Sequence, residues 1–198
     1  MVIVGLTGGV GSGKTTISKC FKSFGIPVYI ADDEAKALMN QSKVLKRKLI
    51  DLFGKSAYKD GKLNRPFLAS KIFSDQMLLS KMNAIVHPKV ASHFKRWLKK
   101  QEAPYIIKEA AIIFENNLES NYNYIITVVA DEDLRIKRVM KRDEASKEKI
   151  QSIISNQLPD EVKIKKSDFV ITNNDLASAK SQVVEIHQQI LQLTDKKD

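Results

Sequence analysis

The chain has 198 residues, enough for one substantial core with a smaller appended part. Its 43% apolar and 28% charged residues suit a globular protein, its single cysteine excludes an internal disulfide, and no apolar run approaches the ~18 residues of a membrane span. The N-terminus has no cationic region ahead of its first apolar run, so no cleaved signal is expected and the cytoplasm is the expected compartment.

Residues 2–7 read as a short strand buried on both faces. GLTGGVGSGKTT (5–16) follows, gathering five of the eight glycines into twelve positions. Gly8, Gly13, Lys14 and Thr15 satisfy G-x-x-x-x-G-K-[ST], and residues 16–24 carry Ile17, Cys20, Phe21 and Phe24 at helical spacing. Strand, glycine loop and helix in that order predict a phosphate-binding loop. Gly8, Gly9, Val10, Gly11, Ser12, Gly13, Lys14, Thr15 and Thr16 are its expected binding residues, with backbone N–H groups and the helix N-terminus attracting the anion. Lys14 is expected to reach the β- and γ-phosphates, and Thr15 to offer its hydroxyl to Mg²⁺. Cys20 falls on the apolar stripe and reads as a buried structural thiol.

A second strand is predicted at 28–30, with Asp32 and Asp33 just past its carboxyl end. Ligands of open α/β sheets bind at that edge. Phosphoryl transfer to an alcohol needs a carboxylate beside the acceptor hydroxyl, and Asp32 is the first choice. Capping of a helix starting at Glu34 is the competing role, one Asp33 also fits.

Only helical patterns are read between 33 and 101, at 34–40, 44–53, 66–73, 76–86 and 88–100. Gly54 and Gly61 mark turns, and Ser74 with Asp75 caps the helix at 76. A single crossover needs a dozen or so residues. The excess predicts an inserted helical subdomain, as a small-molecule kinase needs for its acceptor. His87, before Pro88 at a break between two helices, is either a structural group or a substrate contact.

Strands are predicted again at 105–108, 124–130 and 169–172, giving an α/β fold with a five-stranded parallel sheet flanked by helices. Glu109 and Glu115 are further acids at the same edge. An irregular stretch at about 137–159 holds Arg138 and Arg142 on one helical face, with Lys137 and Lys141 beside them. Two guanidiniums so placed reach along a triphosphate, or else form an ordinary basic face.

The net charge of +10 leaves three readings open: nucleic acid, a multiply phosphorylated small substrate, or solvated lysine faces. His93 and His187 sit on helical patterns, and no cluster has zinc-ligand spacing. Asp51–Gly54 closes a helix in the insertion and no Asn-Lys-x-Asp occurs, which weighs against a GTPase switch.

Together these stretches resemble the dephospho-CoA kinase family from residue 2 to about 192. The resemblance rests on GLTGGVGSGKTT (5–16), GIPVYIAD (25–32), LNRPFLASKIF (63–73), MNAIVHP (82–88), IIFE (112–115), RIKRVMKRD (135–143), Gln157 and DFVITNN (168–174). It implies a P-loop kinase fold that transfers the γ-phosphoryl of ATP, with Mg²⁺, to the ribose 3′-hydroxyl of dephospho-CoA. It implies a core at 1–32 and 102–198, an acceptor-binding insertion at 33–101, and a mobile lid at about 137–159 carrying Arg138 and Arg142. Asp32 would stand at the acceptor hydroxyl, with Arg65, His87 and Lys36 on the acceptor side. Three departures stand out: Ile30-Ala31-Asp32 replaces Asp-Ala-Asp, Lys36 replaces an arginine, and Ala111 replaces a proline. ATP and dephospho-CoA are then the expected partners, with neither nucleic acid nor membrane, and the protein a monomer or weak homo-oligomer. Another small-molecule P-loop kinase, such as a nucleoside monophosphate kinase, is the nearest rival.

Overall fold

The computed structural model describes residues 1–72 and 75–195, and the chain divides into two compact units. Met1–Ile30 and Gln101–Asp198 make the first, and Ala31–Lys100 the second.

The first unit is built on a parallel sheet of β1 (Val2–Gly8), β2 (Val28–Ile30), β5 (Tyr105–Glu109), β6 (Tyr124–Val129) and β7 (Phe169–Thr172). Its spatial order is β2-β5-β1-β6-β7, so β1 lies at the centre and delivers the glycine loop. Parallel strands are covered on both faces and therefore read as apolar runs without alternation. One face carries α1 (Lys14–Ser23) and α9 (Leu176–Asp195). Ile17 and Phe21 of α1 are one turn apart, and Ala179, Val183, Ile186 and Ile190 form the stripe of α9. They close over Val4, Leu6, Ile107, Ile126, Val128 and Ile171. Cys20 is half-buried against this cluster, less enclosed than its stripe position predicts.

Between β5 and β6 the chain forms turns and a short 3-10 helix (Glu119–Asn121). Ile113 and Phe114 from this connection pack with Ile125, Tyr122 and Leu158. The expected irregular stretch after β6 is instead α6 (Glu132–Asp143), α7 (Lys147–Ser155) and α8 (Asp160–Lys165). Ile136, Val139 and Ile150 bury together with Val10 of the glycine loop, so these helices form part of the loop's support.

The second unit holds α2 (Ala31–Gln41), α3 (Lys43–Phe53), β3 (Tyr58–Lys59), β4 (Lys62–Leu63), α4 (Arg65–Ile72) and α5 (Gln76–Leu98). Its core is Met39, Leu45, Leu49 and Val86, enclosed by Leu38, Phe53, Tyr58, Met82 and Ile85. Three expectations need correcting here. α2 begins at Ala31, three residues before Glu34, so Asp32 and Asp33 lie inside its first turn and Asp33 is no N-cap. Carboxylates there favour the positive end of the helix dipole, which removes the need for a cap at 33.

The unit is not wholly helical either: β3 and β4 form an antiparallel hairpin through Asp60-Gly61, both at positive φ (49° and 78°). That is the backbone of a two-residue primed turn, for which Asp-Gly is a favoured pair. Tyr58 Oη donates to Met39 O at 2.7 Å and Leu63 N to Asn40 Oδ1 at 2.8 Å, tying the hairpin to the end of α2.

The expected break at His87–Pro88 is absent, because α5 runs through Pro88. Proline inside a helix costs about 3 kcal/mol and leaves the carbonyl four residues back unbonded. Ala84 and Pro88 are both exposed, so water can take that carbonyl, while Val86 and Phe94 are buried and hold the helix on either side. Asp75 caps α5 by accepting from Leu78 N at 2.9 Å, whereas Phe73 and Ser74 lie outside the described residues.

Candidate active site

The glycine loop leaves β1 at Gly8 and turns into α1 at Gly13, whose φ of 96° is left-handed. A Cβ on Gly13 would overlap the Asn173 amide nitrogen, so both the backbone and its neighbour require glycine. Ser12 N donates to Gly9 O at 3.2 Å and tightens the loop. Lys14 Nζ donates back to Gly8 O at 2.8 Å and to Gly9 O at 3.2 Å, so the ammonium is folded over the loop. A cation held this way, with exposed Thr15 and Thr16 in the first turn of α1, forms a docking place for a multiply charged anion.

Not every expected contact points inward. The Val10 amide donates to Gln157 Oε1 at 2.9 Å, so that donor is turned to protein and away from a phosphate. Asn173, 3% exposed, donates from Nδ2 to Ser12 O at 2.7 Å. Its own carbonyl accepts from Arg138 Nη2 at 2.9 Å. Asn173 thereby brings Arg138 to the end of the loop: the Arg138 Nη1 lies 4.0 Å from where a Gly13 Cβ would stand. That nitrogen is buried and has no hydrogen-bond partner among the described residues, an available donor beside the loop.

Arg142 is placed differently. It is exposed and forms a two-bond pair with Asp143, Nε to Oδ1 at 2.7 Å and Nη2 to Oδ2 at 2.6 Å. The Arg142 hydrogen bond holds the Asp143 carboxyl below its usual range, and the same bond raises the guanidinium further. The one-turn spacing is therefore real, but only Arg138 is docked at the loop.

Glu109 ends β5, buried, with its Cα in register with Leu6 and Ile30. Glu115 is committed elsewhere: Oε1 sits 2.9 Å from Nζ of fully buried Lys163 and accepts from Leu158 N at 3.2 Å. Lys108, on β5 with its ammonium 5.3 Å over the Tyr122 ring, has its pKa lowered by burial, and burial pushes the Tyr122 phenol up to about 12.

In the second unit, Asp32 is the second residue of α2 and exposed. Lys36 pairs with Asp33 at 2.9 Å on the solvent face. Arg65 opens α4 and His87 sits on α5, both exposed.

Sequence reasoning gave no role to Arg135, Gln157 or Asn173, which grip the loop, or to Asp160, which holds Arg135. Three of them, Arg135, Gln157 and Asn173, stand in the stretches that carry the family resemblance, but their partners lie far away along the chain.

Comparison with known proteins gives the family. A family model described as dephospho-CoA kinase matches residues 2–179. A dephospho-CoA kinase of Bacteroides fragilis (strain YCH46) is 37% identical over 184 residues, spanning 92% of this chain and 90% of that protein. Among solved structures, a Thermus thermophilus protein superposes with a TM-score of 0.87 at 30% identity, covering 95% of this chain and 96% of that one. The dephospho-CoA kinase of Campylobacter jejuni shares the fold, with a TM-score of 0.69 at 24% identity over 96% and 97% of the two chains. The chain belongs to the dephospho-CoA kinase family and is an ATP-dependent kinase.

Proposed function

We propose that the chain moves the γ-phosphoryl of ATP onto the ribose 3′-hydroxyl of dephospho-CoA, with the parts assigned as follows. The observation that carries the reading is the Lys14 ammonium folded onto Gly8 and Gly9 at the start of α1. Phosphoryl transfer passes through a loose transition state whose charge spreads over the equatorial oxygens, so catalysis is mostly placement of positive charge. Lys14 and the backbone of the loop hold the β- and γ-phosphates. Arg138, with its spare Nη1, meets charge on the transferring group, and Arg142 joins it after exchanging Asp143 for phosphate. Asp32 orients the acceptor hydroxyl and takes its proton. The 31–100 unit is the acceptor side, with Arg65, His87 and Lys36 reading the anionic CoA end, and 137–159 acts as a lid.

Mg²⁺ fits the residues present. No cluster of three or more His, Cys, Asp or Glu among the described residues suits a metal, and magnesium bound with a nucleotide needs none. Such an ion keeps several waters, takes the phosphates as ligands and requires only one or two protein oxygens, here the exposed Thr15 hydroxyl. When bound, it neutralises charge on the β- and γ-oxygens.

No described helix is long and apolar enough to cross a membrane. Work in the cytoplasm as a monomer or weak homo-oligomer is part of the proposal. The test is incubation of the purified protein with ATP, Mg²⁺ and a panel of acceptors, followed by mass spectrometry. A gain of one phosphoryl, about 80 daltons, on dephospho-CoA is expected. A gain on a nucleoside monophosphate in its place would overturn the acceptor assignment.

A further inference from the structure

Arg135 is a buried charge that the transfer step itself does not use. It lies in the first turn of α6, 5% exposed, although arginine is almost never buried without a dedicated partner. Its Nε donates to Val10 O at 2.9 Å and its Nη1 to Asp160 Oδ2 at 2.9 Å. Its Nη2 lies against Gly9, where any Cβ would overlap it, and a Cβ on Gly11 would stand 2.5 Å from the Arg135 carbonyl. Two glycines of the phosphate loop are therefore needed to admit this arginine as well as an anion. Val10, between them, has its carbonyl held by Arg135 and its amide by Gln157 Oε1 at 2.9 Å.

Gln157 and Asp160 flank Leu158 and Pro159, and this short segment is itself pinned. Leu158 N donates to Glu115 Oε1, whose carboxylate sits 2.9 Å from buried Lys163 on α8. The apex of the loop is thus clasped from two sides by side chains anchored 125 and 147 residues along the chain.

We propose that Arg135 is a positioning residue for the nucleotide, fixing the phosphate-accepting curl of the loop jointly with Gln157 and Asp160. It acts through the Val10 peptide and does not touch phosphate. Its Nε and Nη1 are spent on Val10 and Asp160, whereas Arg138, three residues on, keeps a buried nitrogen unspent. The clasp replaces a flexible glycine loop, which would lose much conformational freedom on binding an anion, by one already curled. Nucleotide affinity is then set partly by the 157–160 segment.

This inference rests on the reading of residues 8–16 as the phosphate site, and the experiment separates the two. Arg135→Lys keeps the charge but has no planar fork to serve Val10 and Asp160 together. Gln157→Leu keeps the bulk and removes the acceptor. Each variant is assayed for kcat, for KM toward both substrates and for Kd of a non-hydrolysable ATP analogue, with Tm measured alongside. Both are expected to weaken analogue binding and raise KM for ATP about tenfold or more, leaving KM for dephospho-CoA unchanged. Because the two side chains hold one peptide, the double variant should lose less than the product of the single losses. Arg135→Lys that folds and binds the analogue as tightly as wild type would overturn the clasp, as would equal losses toward both substrates that track Tm. Lys14→Ala is the control for the underlying site. If it leaves kcat intact, the phosphate-loop reading itself fails, whereas its expected loss of at least about 10²-fold in kcat beside an unaltered Arg135→Lys removes the clasp alone.

Discussion

The glycine-loop end of the first unit and the helices of the second hold the residues proposed for the site in opposite states. In the first, Lys14, Val10, Arg138 and Asn173 are each held by protein partners at 2.7–3.2 Å. In the second, Asp32, Arg65 and His87 are exposed, and the Lys36 ammonium pairs with Asp33 on the surface. Charge that must meet a transition state works best when it is preorganised and costs nothing to reorient during reaction. Side chains that only grip a large substrate need no such fixing, since remote contacts can order on binding. The contrast suggests a division of labour: substitutions around the loop should act on rate and nucleotide binding, and those in the second unit on acceptor KM.

Asp32 tests that division most severely, because it belongs to the second unit and yet is assigned to the reacting hydroxyl. Asp32→Asn keeps the shape and one acceptor oxygen but loses the charge. A fall in kcat of roughly 10²–10⁴-fold is expected, with binding of ATP-Mg²⁺ nearly unchanged. Steady-state kinetics together with nucleotide titration decide it. Should ATP-Mg²⁺ affinity fall in step with rate, Asp32 serves the metal, and buried Glu109 at the end of β5 becomes the acid to test next.

A smaller effect is expected from Arg65→Ala and His87→Ala. Both residues are exposed, so truncation costs little packing. Each should raise KM for dephospho-CoA by about tenfold, as for one lost charged contact, and leave KM for ATP alone. Equal effects on the two substrates would dissolve the comparison between the units. His87 also sits beside Pro88 within α5, and Tm of the His87 variant guards against a helix effect mistaken for a binding one.

How much of this was legible follows from how local each signal is. The five strands and the glycine loop were readable because apolar runs and the G-x-x-x-x-G-K-T spacing are written within a dozen residues. The small hairpin was also written locally, in Asp60-Gly61, but two-residue strands among helical patterns carry almost no periodicity. Pro88 misled for a different reason: its local penalty is real, and the burial of Val86 and Phe94 outweighs it. The clasp on Val10 had no local signal, since Arg135 and Gln157 become its partners only through the fold. Glu115 reads from sequence as an acid free for chemistry, and only Lys163, 0% exposed and far along the chain, reveals its engagement.

The smallest expected effect lies on the face of the first unit covered by α1 and α9, and it checks that the order of this unit is not confined to the loop. His187 of α9 stacks on Phe24 with ring centroids 4.9 Å apart, and its Nδ1 is 2.6 Å from Tyr105 Oη. Tyr105 is fully buried, and burial raises its phenol far above any working pH, so the hydroxyl stays protonated and can donate. Nδ1 must then accept, which fixes neutral imidazole with its proton on Nε2. Partial burial lowers the His187 pKa below its ordinary value in the folded chain. Between the folded and unfolded values the unfolded chain binds the extra proton, so stability rises with pH in that window. The contribution is complete above about pH 6.5 and is lost as pH falls from there through the folded value. His187→Asn keeps an acceptor for Tyr105 and does not titrate. Between pH 7.5 and pH 5.5, wild type should lose more in Tm than this variant, by on the order of 1 °C for a chain of this length. Identical slopes for the two proteins would mean that His187 binds protons alike in the folded and unfolded chain, and a shallower wild-type slope that the folded imidazole is protonated against Tyr105 with the hydroxyl turned to accept.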